Sequence, residues 1–265
     1  MPPTTAQRLA TVWVLVVLST ASLASADGMD AAPGGPSQPP ERGAPDTGLS
    51  QATPAAPTDQ STPPPAAQQI ALADLTLAAT AATRKQLTYL VRCALPPEVA
   101  LYADIAGERF TFPGSIGLAP RWLTDAMTPS EERWVSACLL AHVNFFGKHV
   151  RISIRATPPP VPELAATAEE QQTYTIFEGG FFGNLFAPTP VAYTCQGRRT
   201  PAQAQDPILQ DRVCTQESGA TTAAGLPVTV CQFLRTGDCE APRSFTVDGQ
   251  EYPEVVFVYL KPLQP

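Results

Sequence analysis

Apolar and polar positions follow different periods in successive blocks of this chain, with proline and glycine marking most of the changes. From Ile70 to Ala94, Leu87, Leu90 and Val91 recur at helical spacing with Arg84, Lys85 and Gln86 between them, which predicts an amphipathic helix ending before Pro96-Pro97. Two short β-prone runs, Val99 to Ala103 and Arg109 to Phe112, flank Gly107 and predict a hairpin closed by Pro113-Gly114. Thr128-Pro129-Ser130-Glu131 then places a threonine at a cap, a proline at the first helical position and a glutamate at the third. That is the sequence of a capping box, so a helix starts there. Through Trp134, Val135, Ala137, Cys138, Leu139, Leu140, Ala141 and Val143 this helix is apolar nearly all round, which predicts burial; Gly147 is its expected stop.

Beyond it, Val150 to Arg155 alternates as a strand. Glu163 to Ile176 has helical character and continues into Phe177-Glu178-Gly179-Gly180-Phe181-Phe182-Gly183-Asn184-Leu185-Phe186. In that reading Phe177, Phe181 and Leu185 share one helical face. Val191 to Cys195 and Pro227 to Phe233 are further strand candidates, with the polar stretch Pro201 to Gly225 between them expected to be irregular. At the end of the chain come Phe245 to Val247, a tight turn at Asp248-Gly249 and a strand from Val255 to Leu260. The expected fold is α+β: a buried central helix packed against short antiparallel strands and stabilised by disulfides.

The N-terminal residues have a different pattern. Arg8, the apolar run Leu9 to Leu18 and the small residues Ala24-Ser25-Ala26 form the three-part layout of a secretory signal peptide over residues 1–26. The apolar run is about half of the ~20 residues a membrane helix needs, so cleavage rather than anchoring is expected. Residues 27–69 are rich in Pro, Ala, Gly, Ser, Thr and Gln and contain no aromatic residue. Such a composition cannot offset an ordering entropy of roughly 1–2 kcal/mol per backbone residue. It is expected to be a disordered, semi-stiff linker to a single disulfide-stapled domain over residues 70–265. The formal charge of −7 comes without basic blocks, which excludes a nucleic-acid partner. No later segment is apolar enough to span a membrane.

Six cysteines, Cys93, Cys138, Cys195, Cys214, Cys231 and Cys239, all follow the export signal, which predicts disulfides in an oxidising compartment, secreted or periplasmic. Six thiols allow fifteen pairings. The short separation around Gly237 favours Cys231 with Cys239; Cys195 with Cys214 follows, leaving Cys93 for Cys138. Cys-x-x-Cys pairs are absent, so no metal site is expected.

Residues with potential chemistry are few. Cys138 and His142 share a helix face, but a mid-helix, exported thiol lacks the activation a nucleophile needs. Glu178 with His142 is the acid/base candidate, and Asn144, Asn184 and Phe181 are the binding candidates. Each also has a packing explanation: a polar network tying helix ends for the first four, a buried helix for the aromatic segment. No Gly-x-Ser-x-Gly elbow, phosphate loop, dinucleotide fingerprint or His-Glu-x-x-His helix occurs, and no cofactor is expected.

Three phrases, Leu90-Val91-Arg92-Cys93-Ala94-Leu95-Pro96, Arg133-Trp134-Val135-Ser136-Ala137-Cys138-Leu139-Leu140-Ala141 and Glu178 to Phe186, resemble those of a group of uncharacterised exported cysteine-containing bacterial proteins. The likeness spans most of Leu87 to Cys239 and implies no activity. Two functions are therefore expected. The first is a noncatalytic secreted or cell-envelope module that binds an envelope or surface partner or has a structural role. The second is an envelope-directed glycan or peptide hydrolase using Glu178 with His142, or with an aspartate such as Asp104 or Asp125.

Overall fold

A computed structural model describes residues 80–105, 107–239 and 244–263. The signal peptide and linker expected over residues 1–69, and the start of the first predicted helix, lie outside the described residues. The fold is mixed α and β, with a large sheet and three disulfides.

Helix α1 (Ala81–Ala94) buries Leu87, Leu90 and Val91, the stripe its spacing predicts. Its last carbonyls do not face water. Those of Arg92, Cys93, Ala94 and Leu95 accept backbone N–H groups from Ile116, Leu118, Ala119 and Ser115, so the following loop caps the helix. That loop leaves the hairpin β1 (Ala100–Ile105) and β2 (Glu108–Pro113), which turns at Gly107 with φ +85°. Helix α2 (Pro129–His142) starts at the expected capping box. Thr128 Oγ1 accepts from Glu131 N at 3.3 Å, and Glu131 Oε2 accepts from Thr128 N at 2.7 Å. It ends at His142 rather than running on to Gly147, which has φ +64° in the turn that follows. Residues Val135 to Ala141 are all buried, and Cys93–Cys138 bolts α2 to α1.

The main sheet has seven strands in the order β3-β11-β4-β5-β8-β7-β6. These are β3 (Ile152–Arg155), β4 (Ile176–Asn184), β5 (Val191–Gln196), β6 (Glu217–Thr221), β7 (Pro227–Thr229), β8 (Leu234–Asp238) and β11 (Val256–Leu260). All neighbours are antiparallel except β5 and β8, which run parallel. The hairpin β9 (Phe245–Val247) and β10 (Gln250–Tyr252) turns at Asp248 and Gly249. Their φ values of +50° and +78° are the positive pair an Asp-Gly turn supplies. Short helices α3 (Ala168–Thr173) and α4 (Pro201–Ala204) lie in the connections.

Phe177 to Asn184, expected to be helical, instead form most of the long strand β4, and Leu185 and Phe186 follow it in a bend. A spacing of four between Phe177, Phe181 and Leu185 mimics a helical face, but β4 is buried on both sides and shows no alternation to read. Phe181 enters the core shared with α2, while its neighbour Phe182 joins a second cluster with Tyr193, Val247, Tyr252 and Val255. The glycines reveal why the segment is a strand. A Cβ on Gly179 would overlap the Cys195 carbonyl, and one on Gly180 would come within 2.9 Å of Cys195 Sγ. β5 and its disulfide press directly against the β4 backbone.

Of the expected pairings, Cys93–Cys138 forms, whereas the other four cysteines pair as Cys195–Cys239 and Cys214–Cys231. The extended strand β8 lies between Cys231 and Cys239 and holds them apart. Parallel pairing of β5 with β8 instead brings Cys239 beside Cys195, with Cys239 N donating to Gln196 O at 2.8 Å. Of the strand expected over Pro227 to Phe233 only Pro227–Thr229 forms, as β7; a turn with Gln232 at φ +64° follows and leads to β8. Cys214 is fastened to that turn through Cys231.

Candidate functional site

The C-terminal end of α2 is where the titratable candidates meet. Glu178, at the start of β4, is 0% exposed. Its Oε2 accepts from Arg212 Nε at 3.0 Å and lies 2.9 Å from the same residue's second guanidinium nitrogen. The fork also donates to the carbonyls of Ala141 and Val143, each at 2.9 Å. Those carbonyls lack helical partners because α2 stops there. Arg212 thus acts as a helix C-cap whose charge is balanced by Glu178. Placing a cation at the negative end of the helix dipole adds to the attraction.

His142 occupies the same corner. Its Nδ1 lies 2.7 Å from the Cys138 carbonyl, a distance at which this nitrogen must carry the proton. Its Nε2 is buried, with no hydrogen-bond partner among the described residues. Burial pushes the imidazole pKa down to about 4, with Arg212 and Arg92 acting in the same direction against the Cys138 hydrogen bond. The ring packs on Tyr89 at a centroid distance of 5.4 Å. Asn144 is close in the chain. Its Nδ2 donates to Asp211 O at 2.9 Å, and its Oδ1 accepts from Phe146 N at 2.9 Å.

Asn184 is elsewhere. It lies six residues along β4 from Glu178, roughly 20 Å for an extended strand. There it donates to Glu132 Oε2 at 3.1 Å, near the other end of α2, while Leu185 N donates to Ser136 Oγ at 2.8 Å. The four polar candidates therefore divide between the two ends of α2. Phe181 is 0% exposed and packs edge-on against Phe233, with ring centroids 6.2 Å apart. Asp104 pairs with Arg109 at 2.9 Å on the exposed β1–β2 hairpin, and Asp125 lies 3.9 Å from Arg121 on the surface.

A second buried carboxylate escaped the sequence reading. Glu254, 3% exposed, accepts from Arg133 Nε and Nη2 at 2.7 and 2.9 Å and from the Ser130 hydroxyl at 2.7 Å, tying the first turn of α2 to the entry of β11. No local motif announces Glu254 or Arg212, because each acts on residues distant in the chain. Thr200-Pro201-Ala202-Gln203, by contrast, is a legible capping box inside the stretch expected to be irregular.

Cys93, Cys138 and His142 form a trio with ligand atoms within 4.8 Å of one another. Both sulfurs are joined in the disulfide, so neither is a thiolate able to hold a metal. A concavity of about 560 Å³ opens where β6 to β8 approach the β9–β10 turn, lined by Glu217, Leu226, Arg235 and Asp248 among others; none of the candidates above reaches it. Its arginine is engaged by Glu217 and Asp238. No helix among the described residues is long and apolar enough to cross a membrane.

Comparison with protein-family models, with curated proteins and with solved structures yields no match to this chain.

Proposed function

We propose that this protein is a noncatalytic, exported extracytoplasmic module whose disulfide-stapled body binds a partner or contributes to cell-envelope structure. In this reading α2 is the central helix against which the strands are organised, and the kinship is with the exported bacterial proteins whose phrases the chain shares. Three disulfides support the address, since such bonds persist in oxidising compartments.

The observation that carries the noncatalytic reading is the fully buried Glu178 carboxylate in the Arg212 fork. A general acid or base must reach a substrate proton within about 2.6–3.2 Å, directly or through one water. Glu178 faces a guanidinium that is itself only 2% exposed, and withdrawing Arg212 to admit substrate would strip two helix-end carbonyls of their donors. The hydrolase alternative requires that withdrawal.

The test is turnover of purified full chain on peptidoglycan and on peptide substrates, beside Glu178→Gln. The expected result is no hydrolysis by either protein. Turnover by the native chain that disappears in a Glu178→Gln variant of unchanged melting temperature would overturn the proposal.

A further inference from the structure

We propose that the turn after α2, residues 144–151, is a docking tip for an anionic lipid surface. Phe145 and Phe146 are 44% and 50% exposed, and Leu263 is the only other exposed large hydrophobic side chain among the described residues. They form an edge-to-face pair with centroids 5.2 Å apart. Rings of this size are ordinarily folded inward, so two together on an exposed turn call for a partner.

The turn is built to hold them out. Asn144 anchors its start, donating from Nδ2 to Asp211 O and accepting from Phe146 N at Oδ1, and Gly147 N tightens it by donating to Asn144 O at 3.1 Å. Gly147 takes a positive φ that a side chain would strain. Lys148 bonds Asp211 and lies 5.7 Å above the Phe146 ring. The tip is therefore preorganised, which lowers the ordering cost of inserting it.

The charges identify the occupant. Lys148 and Arg151 are exposed, and the run from Val143 to Arg155 contains no acidic residue; Asp211 reaches the turn from outside that run and pairs with Lys148, which leaves Arg151 to meet a phosphate. The chain as a whole is acidic, with a formal charge of −7, and a turn with cations and no acidic residue of its own stands out against that background. Phenylalanines at the headgroup boundary with cations beside them to meet phosphates are the pattern of interfacial attachment. The proposal rests on the binding-module reading and supplies its partner; the hydrolysis assay and the lipid assay fail independently.

Flotation of the full chain with phosphatidylcholine vesicles, with and without phosphatidylglycerol, tests it. The native chain is expected to float with the phosphatidylglycerol vesicles and only weakly with the others. Phe145→Ser/Phe146→Ser should lower partitioning on the order of tenfold or more, with near-UV circular dichroism unchanged because both rings are exposed. Arg151→Glu should lower it by at least roughly fivefold. A Phe146→Trp reporter should shift its emission to the blue on adding anionic vesicles. A native chain that ignores anionic vesicles, a double serine variant that floats as well as the native chain, or a tip that crosslinks to a protein while ignoring lipid would overturn the proposal.

Discussion

Arg212 reaches Glu178 from 34 positions along the chain and, with the same guanidinium, closes the open end of α2 at Ala141 and Val143. One side chain thus joins strand, helix and loop. Its removal leaves a buried carboxylate and two carbonyls unsatisfied at once. Arg212→Met is expected to cost about 3–5 kcal/mol, read as a fall in the urea midpoint without a change in slope. Arg212→Lys should recover only a minor part, because an ammonium cannot span three acceptors as a planar fork does.

His142 makes stability depend on pH in a defined direction. Its folded pKa, about 4, lies below the ordinary imidazole value of about 6.5, so between these limits the unfolded chain binds the extra proton. The contribution is complete above about pH 6.5 and is lost as pH falls toward 4, by up to about 3 kcal/mol. Denaturant titrations at a series of pH values should show this slope, and His142→Gln should flatten it.

Gly179 has no room for a side chain. A methyl there would collide with the Cys195 carbonyl and with Thr215 Cγ2, and the former is backbone of the paired strand. Gly179→Ala is expected to cost about 3 kcal/mol or more in thermal or urea unfolding, well above the few tenths typical of an exposed site. Gly107→Ala, in open space on the β1–β2 turn, should cost less, only the strain of its positive φ.

Peptide mapping under nonreducing conditions should recover Cys195 linked to Cys239 and Cys214 linked to Cys231, together with Cys93–Cys138. Replacing Cys93 and Cys138 by serine should lower stability by about 2–4 kcal/mol, since that bridge closes one of the larger loops and pins α1 to α2.

What the sequence made legible was local. The Thr128 capping box, the Leu87-Leu90-Val91 stripe, the Gly107 hairpin and the Asp248-Gly249 turn all depend on residues within a few positions of one another, and all appear in the fold. Strand β4 was misread because Phe177, Phe181 and Leu185 satisfy a helical period while the glycines that decide the matter do so through β5. The same limit applies to the sulfurs: chain separation favoured Cys231–Cys239, but the strand between them and the parallel β5–β8 pairing decided otherwise. Glu178 and His142, paired in the sequence as an acid/base candidate, do lie at the same end of α2. Their shared partner, Arg212, lay in a stretch without periodicity, and only the fold brings the three to one corner.

Glu178 holds the fold rather than works on a substrate. A double-mutant cycle of Glu178→Gln and Arg212→Met, measured by urea unfolding, tests it most directly. The expected result is a coupling of about 2 kcal/mol or more between the two sites, with Glu178→Gln alone clearly destabilised. Additive effects near zero, from a Glu178→Gln protein as stable as the native chain, would contradict it.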